Sequence, residues 1–148
     1  MIRILLAEDQ GMVRGALAAL LALEPDLEVV AQVAAGDKVV PAALKARPDV
    51  ALLDIEMPGI DGIEAAARLH EELPDCRVLI LTTFGRPAYL RQAMEAGASG
   101  FLVKDAPAER LADAIRRATT GQRIVDPELA AAALQKGASP FTAREREV

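Results

Sequence analysis

Aromatic residues are scarce in this sequence of 148 residues: Trp is absent, and there are only one Tyr and three Phe. A hydrophobic core must therefore be built from Ala, Leu, Val and Ile. The single cysteine, Cys76, excludes a disulfide within the chain and is typical of a reducing compartment. No apolar run approaches the ~20 residues that a membrane-spanning helix needs. No signal peptide precedes Met1, so we expect a cytoplasmic protein without membrane contacts.

Positive charge is also in short supply. Seventeen Lys and Arg residues face 22 Asp and Glu residues, which gives a formal net charge of −5. Binding to nucleic acid depends on a basic surface that neutralises phosphates. We therefore expect that this segment does not bind DNA unaided. The length suits one domain with a full core and a short appendage.

Short apolar runs alternate five times with segments of helical periodicity. Strands are predicted at residues 2–7, 28–34, 50–54, 77–82 and 99–103, and helices at residues 10–23, 37–46, 61–73, 87–95 and 107–120. Strict alternation of strand and helix predicts an α/β fold with a doubly wound parallel sheet of five strands and helices on both faces.

Four of the predicted strands end at side chains that can do chemistry. The first runs into Glu8 and Asp9, the third ends at Asp54, the fourth at Thr82, and Lys104 follows the fifth. The carboxyl ends of parallel strands meet at one edge of the sheet, which is where open α/β folds place their sites. We therefore expect three carboxylates, a hydroxyl and an ammonium group at a single site.

Three carboxylates at one site repel one another unless a cation joins them. Mg²⁺ is the expected cofactor, because it binds one or two carboxylates, keeps several waters and accepts phosphate oxygens. A carboxylate at a strand end can also act as a nucleophile and accept a phosphoryl group as an aspartyl phosphate. The charge on the phosphoryl oxygens would be neutralised by Mg²⁺, Lys104 and the Thr82 hydroxyl.

At these residues the sequence resembles the receiver domains of bacterial two-component response regulators. The resemblance extends over residues 1–120 and rests on Glu8-Asp9, on Asp54 with Met57-Pro58-Gly59 and Asp61-Gly62, on Thr82-Thr83, and on Gly97-Ala98 with Gly100 to Lys104. It implies a flavodoxin-like (βα)5 fold and phosphorylation by a sensor histidine kinase.

The resemblance also implies a role for each residue of the site. Asp54 is the phosphoacceptor, and Mg²⁺ is bound by Asp9, by Asp54, by the backbone carbonyl of Glu56 and, through water, by Glu8. Thr82 and Phe101 are the switch residues. Lys104 is the phosphate-pairing amine, and we expect its contact to form only when phosphate is present.

The tail narrows the resemblance. Residues 141–148 are similar to the opening of the helix-turn-helix domain of NarL/LuxR-type regulators, which usually have Leu where Phe141 stands. We expect a short helix and linker at 121–141 and a truncated DNA-binding domain from 142, so that DNA is contacted only through the missing part. Residues 7–10, 54–59 and 82–87 resemble regulators of membrane-lipid desaturase genes in thermosensing systems.

Helical periodicity predicts a surface for self-association. The expected core-facing residues are Val13, Leu17 and Leu20 on the first helix and Leu111, Ile115 and Ala118 on the fifth. Beside them lies a low-charge strip formed by Met12, Ala19, Leu23, Ala108 and Ala112. This strip predicts a homodimer that phosphorylation favours. The competing surface is the fourth helix with the fifth strand, around Tyr89 and Phe101.

Other roles remain open for the same residues. Asp54 could cap a turn, Lys104 could be a surface lysine, Thr82 could bond the backbone, and Phe101 could be a core aromatic; the Glu56 side chain could be merely solvated. His70 is expected to be exposed.

Two other functional classes also remain. Asp54-Ile55-Glu56 resembles the Asp-x-Asp pattern of phosphohydrolases that use an aspartyl nucleophile, but the second acid is Glu and no cap domain is indicated. A flavodoxin-like cofactor module is the other, but no Gly-rich loop follows the first strand. We expect no enzymatic activity beyond self-phosphorylation from a phosphodonor and autodephosphorylation.

Overall fold

The computed structural model describes residues 1–82, 89–104 and 108–125, with Tyr89 and Ala108 described by their backbone alone. The strands β1 to β6 are Ile2–Ala7, Leu27–Val33, Val50–Asp54, Arg77–Thr82, Gly100–Val103 and Ile124–Val125. The helices α1 to α5 are Gly11–Ala22, Val39–Ala46, Gly62–Glu72, Tyr89–Glu95 and Ala108–Thr119. A single 3-10 turn, Gly36–Lys38, precedes α2.

The strands form one parallel sheet in the order β2-β1-β3-β4-β5-β6. The doubly wound α/β fold predicted from the alternation is thus confirmed. The chain winds outward in opposite directions from β1 and β3, so the crevice at their carboxyl ends is the switch point where such folds place a site. Here that crevice lies between Ala7 and Asp54.

The prediction of five strands was wrong, because β6 extends the sheet beyond residue 120. Gly121, with φ of +86°, reverses the chain after α5. The Ile124 N–H then donates to the Ser99 carbonyl at 2.9 Å, and Ile124 pairs with Gly100. A strand of two residues is too short to produce a periodic pattern, so only its tertiary pairing reveals it.

Two separate cores cover the faces of the sheet, because successive strand residues point to opposite sides. One core packs α2, α3 and α4 against alternate strand residues that include Leu53, Ile80 and Phe101. The other packs α1 and α5 against the intervening residues, among them Leu6, Leu52 and Leu81. Helices α1 and α5 therefore lie on the same face of the sheet.

The predicted orientation of α1 was wrong at one position. Leu20 is 44% exposed, whereas Leu21 is 1% exposed and is the helix residue most deeply placed in the core. The α1 residues that pack in this core are Leu17, Ala18 and Leu21, whereas Val13 is only half-buried. Leu20 therefore joins the exposed apolar side of the helix.

The predicted exposure of Ala112 was also wrong. Ala112 is 1% exposed and packs in the same core as Leu111 and Ile115. Helix α5 contacts both the sheet and α1. Residues beside its core-facing stripe, such as Ala112, are therefore buried as well. The predicted inward residues Leu111, Ile115 and Ala118 are all buried, as expected.

Several expectations fall outside the described residues. These are the helix, linker and helix-turn-helix start beyond residue 125, the motif residues 83–87, and the side chains of Tyr89 and Ala108. Within the part of the chain that the structure describes, no helix has the length and apolar character needed to cross a membrane.

Candidate functional site

Glu8 is placed at the site by β1, whose last four residues are fully buried. Its own N–H donates to the Val33 carbonyl of β2 at 3.1 Å, so Glu8 continues the sheet's hydrogen bonding by one residue. Its carboxylate oxygen Oε2 accepts the Gln10 N–H at 3.0 Å. Glu8 is therefore a buried acid held by its backbone and its side chain, while the next residue, Asp9, is exposed.

Asp54 is the last residue of β3, a strand of five residues that are all buried. Its exposure is only 4%. Directly behind it, Gly62 at the start of α3 approaches so closely that a Cβ there would lie 2.3 Å from the Asp54 carbonyl oxygen. A glycine is therefore required at position 62 for α3 to pack behind the acid. Asp61 caps this helix by accepting the Glu64 N–H at 2.8 Å.

Lys104 brings the two buried acids together. Its Nζ lies 2.5 Å from Glu8 Oε1 and 3.3 Å from Asp54 Oδ2. Its backbone N–H donates to the Thr82 carbonyl at 2.7 Å, which fixes Lys104 at the carboxyl end of β4. Its ammonium group is thus shared between two carboxylates in this structure, and the expected contact with a phosphoryl oxygen stays a prediction.

The three charges change one another's titration. Burial raises the pKa of Asp54 and the negative charge of Glu8 raises it further, to about 6, although Lys104 opposes both. Burial also works against the ionised form of Glu8. Hydrogen bonds from Lys104 and the Gln10 N–H outweigh it, so the pKa of Glu8 is lowered. Burial opposes the charge on Lys104 too, but its contacts with Glu8 and Asp54 raise its pKa.

These side chains also form a group that can hold a metal ion. One carboxylate oxygen from each of Glu8, Asp9 and Asp54 lies within 4.8 Å of the other two. Two of these acids are buried and one is exposed. An all-oxygen set with one open side suits Mg²⁺, which is bound by few carboxylates and retains water. The residues present therefore fit this ion.

Thr82, Glu56 and Phe101, the other residues predicted for the site, differ in their burial and in how near they lie to Asp54. Thr82 is fully buried at the end of β4, beside β5. Glu56 is exposed, and its N–H lies 3.5 Å from Asp54 Oδ1, so its backbone is adjacent to the acid. Phe101 is 0% exposed and belongs to the core on the α2–α4 side. It cannot line an exposed contact surface, so that part of the competing dimer surface was wrong.

One residue near the site was missed by the reasoning from sequence. The Arg14 guanidinium, through Nη1, donates to the backbone carbonyl of Glu8 at 2.7 Å. The only signal available in the sequence was a single charge on an otherwise uncharged helix, Gly11–Ala22. That signal does not specify that the side chain turns back toward β1.

Comparison with known proteins identifies the family. A model of the response regulator receiver domain matches residues 4–116. The chain belongs to the response regulator receiver family. This receiver is 51% identical over 150 residues to the transcriptional regulatory protein DesR of Bacillus subtilis, which covers 100% of the chain and 73% of DesR. It is 40% identical over 136 residues to LiaR of the same organism, covering 92% of the chain and 64% of LiaR.

Solved structures agree with this assignment. A LuxR-family two-component response regulator from Aurantimonas sp. SI85-9A1 superposes with a TM-score of 0.86 at 30% identity, over 92% of this chain and 97% of that one. A LuxR-family DNA-binding response regulator from Staphylococcus aureus gives 0.76 at 32% identity, over 80% and 99%. The receiver is thus part of a two-component response regulator of the LuxR family, with the flavodoxin-like fold.

Proposed function

We propose that this receiver accepts one phosphoryl group on Asp54 from a sensor histidine kinase, in a reaction that requires Mg²⁺. The observation that carries the proposal is the position of Asp54: a buried carboxylate at the sheet's switch point, 3.3 Å from Lys104 Nζ and grouped with Glu8 and Asp9. Such an arrangement places a carboxylate nucleophile beside positive charge that can neutralise the oxygens of an incoming phosphoryl group.

In the proposed step, an Asp54 carboxylate oxygen forms a bond to phosphorus while the bond from phosphorus to the donor breaks. The leaving group keeps the electron pair of that bond and takes a proton from solvent. Asp9, Asp54, the Glu56 carbonyl and, through water, Glu8 would hold Mg²⁺, which would supply positive charge to neutralise the phosphoryl oxygens. Lys104 exchanges its contact with Asp54 for one with a phosphoryl oxygen, since its ammonium group already lies against the acid.

The proposed response of the fold begins at Thr82 and Phe101. Thr82 ends the strand adjacent to β3, so its hydroxyl can bond a phosphoryl oxygen on Asp54. Phe101 on β5 is paired with Ile80, and Ile80 belongs to β4, the strand that ends at Thr82. Because the core is closely packed, a shift at the end of β4 would also displace the Phe101 ring.

The proposed output is homodimerisation that places two DNA-binding domains together. Helix α1 carries a single charged residue, and Met12 and Leu23 are 91% and 76% exposed. Ala19 and Leu20 are exposed on the same helix. An exposed apolar strip of this kind usually marks a contact. Ala112 does not contribute to the strip, because it is buried.

The resemblance to desaturase regulators suggests genes of membrane-lipid desaturation as the targets to test, through the DNA-binding domain. A cytoplasmic location forms part of this proposal, and it is favoured by the single unpaired cysteine. We propose no enzymatic turnover beyond phosphorylation and dephosphorylation of the receiver itself.

Intact-mass measurement with acetyl phosphate tests this function. We expect one phosphoryl adduct per chain with Mg²⁺ and none after chelation with EDTA. Asp54→Asn should abolish the adduct, because an amide is not a competent nucleophile. Mapping the phosphate to Asp9 or His70 would defeat the assignment. Hydrolysis of generic phosphoesters beyond one turnover per site would instead favour a phosphohydrolase.

A further inference from the structure

We propose that Arg14 is a positioning residue for the metal-binding carboxylates, acting through the backbone of Glu8. Its guanidinium Nη1 donates to the Glu8 carbonyl at 2.7 Å, and its side chain is half-buried. The inference rests on the proposed function, because the ligands it concerns are those of the proposed Mg²⁺ site. It adds a residue that lies one turn into α1 and offers no metal ligand of its own.

The connection between β1 and α1 needs such a contact. Helix α1 begins after Gln10 with no side-chain hydrogen bond at its N-cap and no acidic residue in its first turn. Side-chain caps are the usual way to satisfy and fix this end of a helix. Two other contacts hold residues 8–10 instead: the Gln10 N–H donates to the Glu8 carboxylate, and Arg14 donates to the Glu8 carbonyl.

These two contacts enclose Asp9. The Glu8 carbonyl and the Gln10 N–H belong to the two peptide groups that flank Asp9, so one of these groups is held by Arg14 and the other by the Glu8 carboxylate. Asp9 is exposed, and its carboxylate direction depends on the backbone that carries it. Arg14 therefore sets the direction of the one metal-binding acid that the core does not enclose.

A positioning role and a purely electrostatic role make opposite predictions. Arg14 places a positive charge near a cation site, and like charges repel. If charge were its only effect, removing it would tighten Mg²⁺ binding. If Arg14 positions the ligands, removing it weakens Mg²⁺ binding, since groups that orient metal ligands are worth roughly tenfold or more in affinity. The sign of the change separates the two roles.

The test compares Arg14→Met, Arg14→Lys and the control Arg68→Met in the full 148-residue chain. Arg68 pairs at the surface with Glu64 on α3, so its loss removes the same charge without touching the site. Calorimetric titration with Mg²⁺ should show about tenfold weaker binding for Arg14→Met. Arg14→Lys should recover most of the affinity, because it restores a charged donor, and Arg68→Met should bind like the wild type.

A second measurement needs neither Mg²⁺ nor phosphate. Hydrogen–deuterium exchange in EDTA should show faster exchange at the Gln10 amide in Arg14→Met than in Arg68→Met, because the loop loses one of its two restraints. Unchanged or tighter Mg²⁺ binding by Arg14→Met, or unchanged exchange at Gln10, would overturn the inference. If the wild type accepts no phosphoryl group while Arg14→Met still loosens the loop and weakens Mg²⁺ binding, the proposed function fails and the inference stands.

Discussion

At the scale of single residues, the carboxylates of Glu8 and Asp54 share the positive charge of the Lys104 ammonium group. Glu8 and Asp54 are buried, and Lys104, which is 16% exposed at its side chain, touches both. Breaking a buried ion pair by removing one partner is costly, because the other charge remains buried without compensation. The stability of the folded receiver therefore depends on Lys104 even when no metal ion or phosphate is bound.

We predict that Lys104→Met lowers the free energy of unfolding by about 3 kcal/mol in EDTA. Mg²⁺ should restore part of this loss, because a cation that binds only the folded state stabilises it. Urea denaturation with and without Mg²⁺ measures both effects. Lys45→Met is the matched control, since Lys45 is exposed on α2 and its loss should cost no more than about 0.5 kcal/mol. Equal midpoints for the two variants in EDTA would contradict this account.

The surroundings of Cys76 suppress ionisation of its thiol. It is 6% exposed, and burial together with the charge of Asp49 raises the pKa of its thiol to about 12. The reactive thiolate is therefore nearly absent at neutral pH. Cys76 therefore behaves as a small, buried apolar residue.

At the scale of elements, two helices end in the same way. After α4, the Ala98 N–H donates to the Ala93 carbonyl and the Gly97 N–H to the Met94 carbonyl. After α5, the Gln122 and Gly121 N–H groups donate to Arg117 and Ala118 in the same pattern. Both are Schellman motifs, in which a glycine with positive φ closes the helix. Gly97 has φ of +98° and Gly121 has φ of +86°.

The two glycines differ in their surroundings, which permits a controlled prediction. A Cβ at Gly97 would lie 2.8 Å from Cγ of His70 on α3, whereas a Cβ at Gly121 would meet nothing within 4 Å. Gly121→Ala should cost roughly 1 kcal/mol from backbone strain alone, and Gly97→Ala roughly 2 kcal/mol or more. Urea denaturation of both variants measures the difference.

A double-mutant cycle with His70→Ala tests whether the clash with His70 causes the extra cost of Gly97→Ala. In His70→Ala, the penalty of Gly97→Ala should fall toward that of Gly121→Ala, because the clash is removed and only the strain remains. A clash with His70 is refuted if Gly97→Ala costs the same in both backgrounds.

An arginine on α5 connects that helix to the turn between α1 and β2. The Arg116 guanidinium donates to both carboxylate oxygens of Asp26, at 2.8 and 2.9 Å, and to Glu24 Oε1 at 2.5 Å. The hydrogen bond from Arg116 lowers the pKa of Asp26. A carboxyl group with a lowered pKa stabilises the folded state above its ordinary pKa, and loses that contribution as the pH falls through the lowered value.

We therefore predict that Asp26→Asn destabilises the receiver slightly at pH 7. The difference from the wild type should begin to shrink as the pH falls below about 4, where Asp26 becomes protonated in the unfolded state, and should be lost below the lowered pKa of the folded state. Added salt should reduce the difference as well, because the pair is half-exposed. Denaturation at several pH values checks this. Asp113→Asn is the control, since Asp113 lies 3.9 Å from Arg117 in an exposed pair, and its loss should change the stability at pH 7 by less than about 0.5 kcal/mol.

At the scale of the whole molecule, the two faces of the sheet expose different helices. Apolar residues on α1 are exposed on one face, whereas Leu44 of α2 is an exposed leucine on the other, with 41% exposure. The proposed dimer uses only the α1 side.

Leu23→Asp should therefore lower the dimer content of the phosphorylated receiver in sedimentation, while Asp54 still accepts phosphate. Leu44→Asp, which places the same charge on the opposite face, should leave the dimer unchanged. Loss of dimer in Leu44→Asp or Tyr89→Asp, with none in Leu23→Asp, would place the interface elsewhere.

The alternation of strands and helices was predictable from the sequence, and so was the placement of the site residues at strand ends, namely Glu8, Asp9, Asp54, Thr82 and Lys104. These features are local: apolar runs, turn residues and the residue that follows each run are all neighbours in the chain. Gly97 as a helix end was equally predictable, because a glycine just after an apolar helical pattern readily adopts the left-handed conformation that closes a helix.

The contacts that these residues make depend on the packing of distant segments and could not be predicted from the sequence. Pairing of Lys104 with Glu8, the reach of Arg14 back to the Glu8 carbonyl and the addition of β6 join segments that have no common sequence pattern. Burial of Leu21 in place of Leu20, and of Ala112 on α5, depends on how each helix is rotated on the sheet. A rotation of one residue, about 100°, exchanges a core position for a surface position, and that angle is set by packing rather than by helical periodicity.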